Sequence, residues 1–414
     1  MNPVRFAVIG VGGFGVAHWN AILKAKAQGA VELVAFVARS REKYKETCER
    51  LEGEGARWFS DYRQMLADKS LGTEVVSIAA GHHVHEEMTV AACRAGYHVL
   101  VEKPASTHVA SVDRMIEAAR SADRLVQVNY QWMSMPTAHR LKKAIVDGEL
   151  GELKEIVGIG KAFRFDSYYA RNAWAGKVLE GEVLILDGPM CNPFNHVINI
   201  SLFYGNRAPV YGVPVALRAE RYRARDIEGE DTGCAVIRLE NGCRVLFYTT
   251  LCDPDPGFVM RVEVVGAKGK ATWTNGSLKL ERAGQPPEEI LYQGDAIVDM
   301  FVNMARAVRG EAELFCPITE ARKVVVVNNG LFESCPVAVP IPQEYWHREE
   351  REGEMTTLID GVGDLIVRAA EERRLFSEMG APWARRTPEV SLKNSAGLTA
   401  ERLRRLIEKA SALE

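Results

Sequence analysis

Gly10, Gly12 and Gly15 stand in G-x-G-x-x-G spacing within Val8-Ile9-Gly10-Val11-Gly12-Gly13-Phe14-Gly15. In that pattern the first glycine permits a tight turn, the second lets backbone approach a pyrophosphate, and the third lets a helix pack closely on a strand. The helix that follows turns free N–H groups and its positive dipole end toward phosphate oxygens. A glycine-rich turn that binds nothing is the bland alternative. Here, however, the motif leaves an apolar run, opens a helical segment and precedes a second apolar run from Val31. The loop, including Gly13 and Phe14, is therefore expected to hold a dinucleotide.

The end of the second apolar run bears on which dinucleotide. An acidic residue there would bond the ribose 2′-OH of NAD. Glu32 lies at the wrong end, and the run closes as Val37-Ala38-Arg39-Ser40-Arg41. Two arginines and a hydroxyl suit a 2′-phosphate through charge-assisted bonds. The alternative, Ser40 capping the next helix beside solvated arginines, is compatible with that role. The expectation is NADP in preference to NAD. His82-His83-Val84-His85 invites a metal reading, but no third ligand is identifiable, so no metal site is expected.

These residues need a scaffold, and the first 125 residues supply its pattern. Apolar runs at 4–9, 31–37, 75–79, 98–101 and 125–128 alternate with helix-like segments at 40–51, 86–95 and 111–122. Strict alternation of strand and helix implies a parallel sheet with helices on both faces. Beyond about residue 150 the strands at 154–165, 210–219, 234–239, 244–249 and 262–273 are longer and alternate more openly. Asn241-Gly242 suits a tight hairpin, and Asn275-Gly276 a second. This half reads as a mostly antiparallel sheet. Val324 to Val327 is β-branched, yet Thr319-Glu320 upstream looks like a helix start, and local pattern leaves both states open. Met355, Leu358, Ile359, Val362, Leu365 and Ile366 recur at helical spacing despite Gly361 and Gly363, and 400–412 forms a second amphipathic helix.

Composition narrows the function classes. The 414 residues carry 52 Lys plus Arg against 55 Asp plus Glu, a net charge of −3, which leaves no nucleic-acid footprint or polybasic membrane patch. No apolar stretch has membrane-spanning length, and Met1 to Arg5 run into a strand-like segment with no secretory leader, so a cytoplasmic location is expected. Eight scattered cysteines with no C-x-x-C pair read as reduced, partly buried thiols.

Val101-Glu102-Lys103-Pro104 after a later strand, together with the glycine loop, resembles the Gfo/Idh/MocA oxidoreductase family. Val76-Ser77-Ile78-Ala79 leading to His85, Gly148-Glu149-Leu150-Gly151, and Val262 to Gly269 are further matches, so the likeness runs over roughly residues 4 to 335. The resemblance implies an α/β fold: a Rossmann domain over 1–127, an α/β domain with a large open, mostly antiparallel sheet over 128–342, and a helical C-terminal extension over 343–414. It also implies that 324–327 is helical. It further implies hydride exchange between a nicotinamide and a secondary alcohol of a sugar, glycoside or polyol, and a homodimer or homotetramer assembled through the second sheet. It supports His85 and Glu102 as cofactor-lining residues.

Within that frame Lys103 is the first candidate catalytic residue, and it borders the cofactor as well. Oxidation of a carbinol releases a hydroxyl proton, and a partly desolvated lysine near a cationic ring is suited to take it. Pro104 biases Lys103 toward extended backbone. Family members usually carry an Asp four residues before a His on one helix. Here His196 fits the histidine and Asn192 replaces the aspartate, so the two are expected on one helix face, with the proton handled by Lys103 and His196. Asp187, nine residues before His196, is not expected to stand in for the missing acid. The segment Asp166 to Gly176 resembles one that borders the substrate cleft, which makes Tyr168, Arg171, Asn172 and Trp174 candidate substrate contacts. Ala80-Gly81 and Met133 depart from the family pattern. Two alternatives remain open: a redox-neutral epimerase or glycoside-eliminating enzyme with tightly held nicotinamide, and a non-catalytic dinucleotide sensor. The residues beyond about 340 are too few for a core of their own and are expected to wrap the parent fold or a neighbouring subunit.

Overall fold

The computed structural model describes residues 2–412. Met1 and residues 413–414, at the outer ends of the first domain and of the extension, lie outside the described residues. The chain divides into two compact units, one built from residues up to 106 with 110–136 and 293–322, the other from 107–109, 137–292 and 323 onward.

The first unit is wound on a six-stranded parallel sheet. Its elements run β1 (Val4–Ile9), α1 (Gly15–Ala27), β2 (Val31–Val37), α2 (Lys45–Gly53), β3 (Arg57–Phe59), α3 (Tyr62–Ala67), β4 (Val75–Ile78), α4 (His85–Arg94), β5 (His98–Glu102), α5 (Val109–Ala122) and β6 (Val126–Asn129). The strand order β3-β2-β1-β4-β5-β6 reverses direction between β1 and β4, the switch point where such sheets open a crevice for a ligand. Continuous apolar runs form β1 and β2 because both faces are covered: Phe6, Val8, Leu33, Ala35 and Phe36 are all buried. The three-residue edge strand β3 has too little periodicity to show in the sequence. Helix α2 begins at Lys45 rather than Ser40, because the Ser40 hydroxyl accepts the Lys43 N–H and turns the chain first.

The second unit contains α6 (Pro136–Val146), β7 (Leu153–Lys161), α7 (Asp166–Ala170), the ribbon β8 (Leu179–Glu180) and β9 (Val183–Leu184), and α8 (Asn195–Tyr204). There follow β10 (Pro214–Arg223), β11 (Thr232–Leu239), β12 (Arg244–Thr250), β13 (Val259–Gly266), β14 (Gly269–Thr274), β15 (Ser277–Arg282) and β16 (Glu288–Leu291). Helix α9 (Ala296–Val308) returns to the first unit, where Phe301 packs on Phe6 and His18. The chain ends with α10 (Ile318–Ser334), β17 (Val339–Pro340), β18 (Trp346–Arg351), β19 (Glu354–Ile359), α11 (Val362–Glu372), β20 (Val390–Ser391) and α12 (Ala400–Ser411). The β-branched run 324–327 is helical within α10, where tertiary burial overrides strand propensity.

The large sheet is mostly antiparallel, as expected, with two parallel pairings. Its order is β16-β15-β14-β13-β7-β12-β11-β10-β17, with β20 on β10, and β7 pairs parallel with β12 while β10 pairs parallel with β17. The expected single strand 262–273 is two, β13 and β14, joined by a turn at Gly266 to Gly269. Asn241-Gly242 makes the β11–β12 turn, with Gly242 at φ +85° and the Asn241 side-chain Oδ1 accepting the Cys243 N–H.

Each face of β7 does different work. Cβ atoms added at Gly158 and Gly160 would sit 2.4 Å from Val197 and Phe194, so the two glycines let the start of α8 lie directly on the sheet. On the other face Val157 and Ile159 join Leu246, Tyr248 and Tyr222 under Ile366, Phe376 and Trp383. Tyr248 donates to the carbonyls of Ala369 and Arg374, which pins the end of α11 to the sheet. On the same face, strands β13 to β15 carry Arg261, Glu263, Thr272 and Lys279 instead. A homodimer or homotetramer through this sheet would meet the chain's own C-terminal segment over the apolar half and polar side chains over the rest.

The helix expected to start at Met355 is half strand. Met355 and Leu358 belong to the β18–β19 hairpin, and α11 starts only at Val362, after Gly361 at φ +67°. All eight cysteines are buried, and no disulfide joins them.

Truncation after Pro342 should strip the cover from this cluster. A buried Ile or Phe side chain contributes about 1.5–3 kcal/mol, so losing several removes roughly 10 kcal/mol, close to a whole domain's usual margin of about 5–15 kcal/mol. The truncated chain should aggregate or melt at least about 10 °C lower. A soluble product with unchanged melting temperature would contradict this role.

Candidate functional site

The first cluster of candidate residues grows out of β1. Gly10, at φ +93°, has no room for a Cβ, which would lie 2.8 Å from the Ala79 carbonyl oxygen, and a Cβ on Gly15 would lie 2.2 Å from the Gly10 oxygen. Gly13, at φ +54°, has open space where its Cβ would be. Helix α1 starts at Gly15 with no acidic residue in its first turn, and its N-cap, Phe14, makes no side-chain capping bond. Backbone packed this tightly at a helix start, with no carboxylate to repel an anion, fits a pyrophosphate. One neighbour was not foreseen from sequence: a Cβ on Gly12 would strike the Tyr44 ring, so this side chain lies against the loop.

The end of β5 holds the densest polar cluster of the unit. The Glu102 carboxylate, 7% exposed, accepts from His18 Nε2–H at 2.8 Å and from Asn129 Nδ2–H at 2.5 Å on one oxygen, and from the backbone N–H of Lys103 at 3.0 Å on the other. His18 is fully buried, and its Nδ1 lies 2.7 Å from Ser77 Oγ. Burial raises the Glu102 pKa, but the His18 hydrogen bond, the charges of His18 and Lys103, and Asn129 outweigh it and hold the carboxyl below its usual range. The cluster thereby connects α1, β4, β5 and β6 at the backbone of Lys103. Sequence reading placed Glu102 and Lys103 here but missed His18 and Asn129; the signal was a polar residue interrupting an otherwise apolar buried run. The Lys103–Pro104 peptide is cis.

The histidine loop is packed rather than open. His85, 1% exposed, has Nδ1 and Nε2 each 3.0 Å from the carbonyl oxygens of Pro104 and Ala80, so it ties the loop after β4 to the loop after β5. Burial lowers its pKa, and that of His82 falls to about 3, by burial first and then by the charges of His85, His83 and Lys103. Among the described residues no group of three or more His, Cys, Asp or Glu could hold a metal ion.

A second cluster of candidate residues lies in the other unit. His196 is buried in the first turn of α8, which the glycines of β7 seat on the sheet. Asn192 is not on that helix: α8 begins at Asn195, and Asn192 lies in the preceding turn, before a cis bond to Pro193. The expected i, i+4 helix face for Asn192 and His196 therefore does not exist. Asn192 instead donates from Nδ2 to Asp187 Oδ1 at 3.3 Å. Asp187 is buried, accepts the Gly176 N–H at 2.7 Å and faces Arg171 at 3.8 Å. Burial raises its pKa against those partners. The sequence distance that argued against Asp187 carries no weight once 188–194 is a turn rather than a helix.

Of the aromatic segment, Arg171 lies 3.6 Å over the Tyr168 ring and 5.0 Å from that of Trp174. Asn172 spends its side-chain oxygen on the N–H groups of Trp174 and Ala175, which makes it a turn former. Tyr168 stands with its hydroxyl pKa raised by burial and by Asp187.

Comparison with known proteins agrees with this construction. Residues 4–130 match the sequence profile of the Gfo/Idh/MocA oxidoreductase family with an NAD-binding Rossmann fold. Myo-inositol 2-dehydrogenase of Thermotoga maritima is 28% identical over 149 residues, 36% of this chain and 42% of that protein. The chain thus spans less than half the length of the curated relatives it matches. Among solved structures, the WlbA dehydrogenase of Bordetella pertussis in complex with NADH and UDP-GlcNAcA superposes with a TM-score of 0.67 at 24% identity, covering 80% of this chain and 96% of that one. Levoglucosan dehydrogenase in complex with NADH gives 0.69 at 17% identity, again over 80% and 96%. At such identities the likeness is one of fold.

The NADP expectation does not stand. These structural neighbours hold NADH, and two of the three side chains expected to hold a 2′-phosphate at the end of β2 are already engaged. Arg41 forms a two-bond ion pair with Glu52 at 2.6 Å and lies over Trp58, while the Ser40 hydroxyl is taken by the Lys43 N–H. The fold is that of these solved dehydrogenases, and no helix among the described residues is long and apolar enough to cross a membrane. Residues 4–130 of this chain are thus similar to the Gfo/Idh/MocA oxidoreductases, and over about a third of its length the chain is similar to a myo-inositol 2-dehydrogenase.

Proposed function

We propose that the chain is an NAD-dependent dehydrogenase acting on a secondary alcohol of a sugar, glycoside or polyol, with Lys103 and His196 handling the proton. The observation that carries this reading is the cluster at the end of β5, where buried Glu102 receives the Lys103 N–H within the unit that matches the family. NAD is favoured by the ion-paired state of Arg41 and by the NADH found in the structural neighbours. A carbohydrate-like substrate is favoured by the relatives, one named for inositol and another solved with a nucleotide sugar.

Gly10, Gly12, Gly13, Phe14 and Gly15 would cradle the pyrophosphate at the start of α1, and the bound nicotinamide would supply hydride transfer at carbon. The chain's own part is to bind, aim and move a proton. Lys103 Nζ takes the substrate hydroxyl proton, and the backbone bond to Glu102 fixes the main-chain position from which its side chain extends. His196 faces the substrate from α8. Asn192, oriented by Asp187, and Tyr168, clamped by Arg171, bind hydroxyls and ring faces. Asn172 and Trp174 shape the same segment.

Lys103→Ala should lower NAD reduction on any accepted sugar or polyol by about 100-fold or more, the usual worth of a positioned proton carrier. NADH affinity should change by less than about threefold. His196→Ala should show a smaller loss of the same kind. Turnover by Lys103→Ala at the parent rate, across a panel of sugars and polyols, would defeat the mechanism. Cofactor choice is checked separately by calorimetry. NADH should bind at least about tenfold more tightly than NADPH, a difference of about 1.4 kcal/mol, and equal or tighter NADPH binding would contradict the assignment.

A further inference from the structure

Beside the His196 cluster the second unit has a cavity of about 400 Å³ lined by Phe163, Arg164, Phe165, Ser167, Tyr168 and Phe258 together with Gly257. Its walls are rings. Phe163 and Phe165 meet edge to face at 5.3 Å, and Phe258, 40% exposed, stacks on Phe194 at 5.2 Å and 29°. Arg164 lies over two of the rings, 5.3 Å from Tyr168 and 5.4 Å from Phe258. Its guanidinium donates to the Phe163 carbonyl, and no ion pair engages it among the described residues.

The walls of the cavity are linked to the candidate substrate cluster by two chains of contact. Phe194, under Phe258, is the residue that leads into α8 and His196. Tyr168 is clamped by Arg171, which faces Asp187, the partner of Asn192. A group bound in the cavity would therefore adjoin a sugar bound at Asn192 and His196.

The chemistry of the walls selects the group. A second sugar ring presents hydroxyls all round, and the side chains here offer them little: the Ser167 hydroxyl, the Tyr168 phenol and one arginine against four aromatic rings. A flat aromatic ring stacks on such walls, and the Arg164 guanidinium can meet a phenolic, nitro or carboxylate oxygen on its edge. We infer that this cavity is an aglycone subsite, and that the substrates are aryl glycosides whose sugar is presented to Asn192 and His196. The inference rests on the dehydrogenase reading for the sugar, but the subsite can be tested independently of it.

The test is calorimetric binding of methyl and 4-nitrophenyl glycosides of glucose, galactose and xylose to the full chain with NADH present, paired with NAD reduction on the same compounds. At least one 4-nitrophenyl glycoside should bind tenfold or more tightly than its methyl counterpart. Phe258→Ala and, separately, Arg164→Met should bring that ratio toward one. Both side chains are at least partly exposed, so the folded state should tolerate these changes. Equal binding of aryl and methyl glycosides, no binding of any aryl glycoside, tighter binding of a disaccharide, or an aryl preference untouched by both substitutions would each overturn the subsite. An aryl preference without NAD reduction would keep the subsite and reject the dehydrogenase reading. NAD reduction without aryl preference would do the reverse.

Discussion

A carboxylate kept charged in the interior is the constraint around which the first unit is arranged. Removing a charge from water is expensive unless partners replace its hydration. Glu102 recovers that cost from His18 on α1, Asn129 at the end of β6 and the backbone N–H of Lys103. Each partner fixes an element. Helix α1 is the helix opened by the glycine loop, so that loop and the lysine's backbone are tied to the same two oxygen atoms. A small shift of either would leave a buried charge short of a partner, so the glycine loop and the Lys103 backbone hold register with one another.

The second unit solves its positioning problem by omission. Two glycines on one face of β7 remove the side chains that would hold α8 off the sheet, and the helix start with His196 settles into the space. The opposite face keeps Val157 and Ile159 and must be covered, which the C-terminal segment does with Ile366, Phe376 and Trp383. The extension therefore completes the core of the unit that carries His196 rather than adding a separate module.

What was legible in the sequence follows from how local each signal is. The glycine loop, the alternating runs and Glu102-Lys103-Pro104 are contiguous, and they lie in the structure where the pattern put them. The misplacements involve partners distant in sequence or interruptions in a period. Arg41 reads as a phosphate ligand until Glu52, one helix later, is seen to neutralise it. Asn192 reads as helical until the turn before Asn195 breaks the register and delivers it to Asp187. Met355 and Leu358 match a helical period by coincidence: three apart in a strand they face opposite sides, and Met355 is exposed while Leu358 is buried. The aromatic cavity was half visible: Tyr168 was singled out, but Phe258 lies almost a hundred residues away and only the fold brings it close.

The central claim is that His18, Glu102 and the Lys103 backbone act as one unit. A double-mutant cycle on His18→Gln and Glu102→Gln, measured by reversible denaturation, tests it most directly. Residues sharing a buried charged hydrogen bond should couple by about 2 kcal/mol or more, the upper part of the range for contacting pairs. The double variant should accordingly be far more stable than the sum of the single losses implies. Additivity to within about 0.5 kcal/mol, the behaviour of independent sites, would show that the carboxylate does not depend on His18 and would contradict the account.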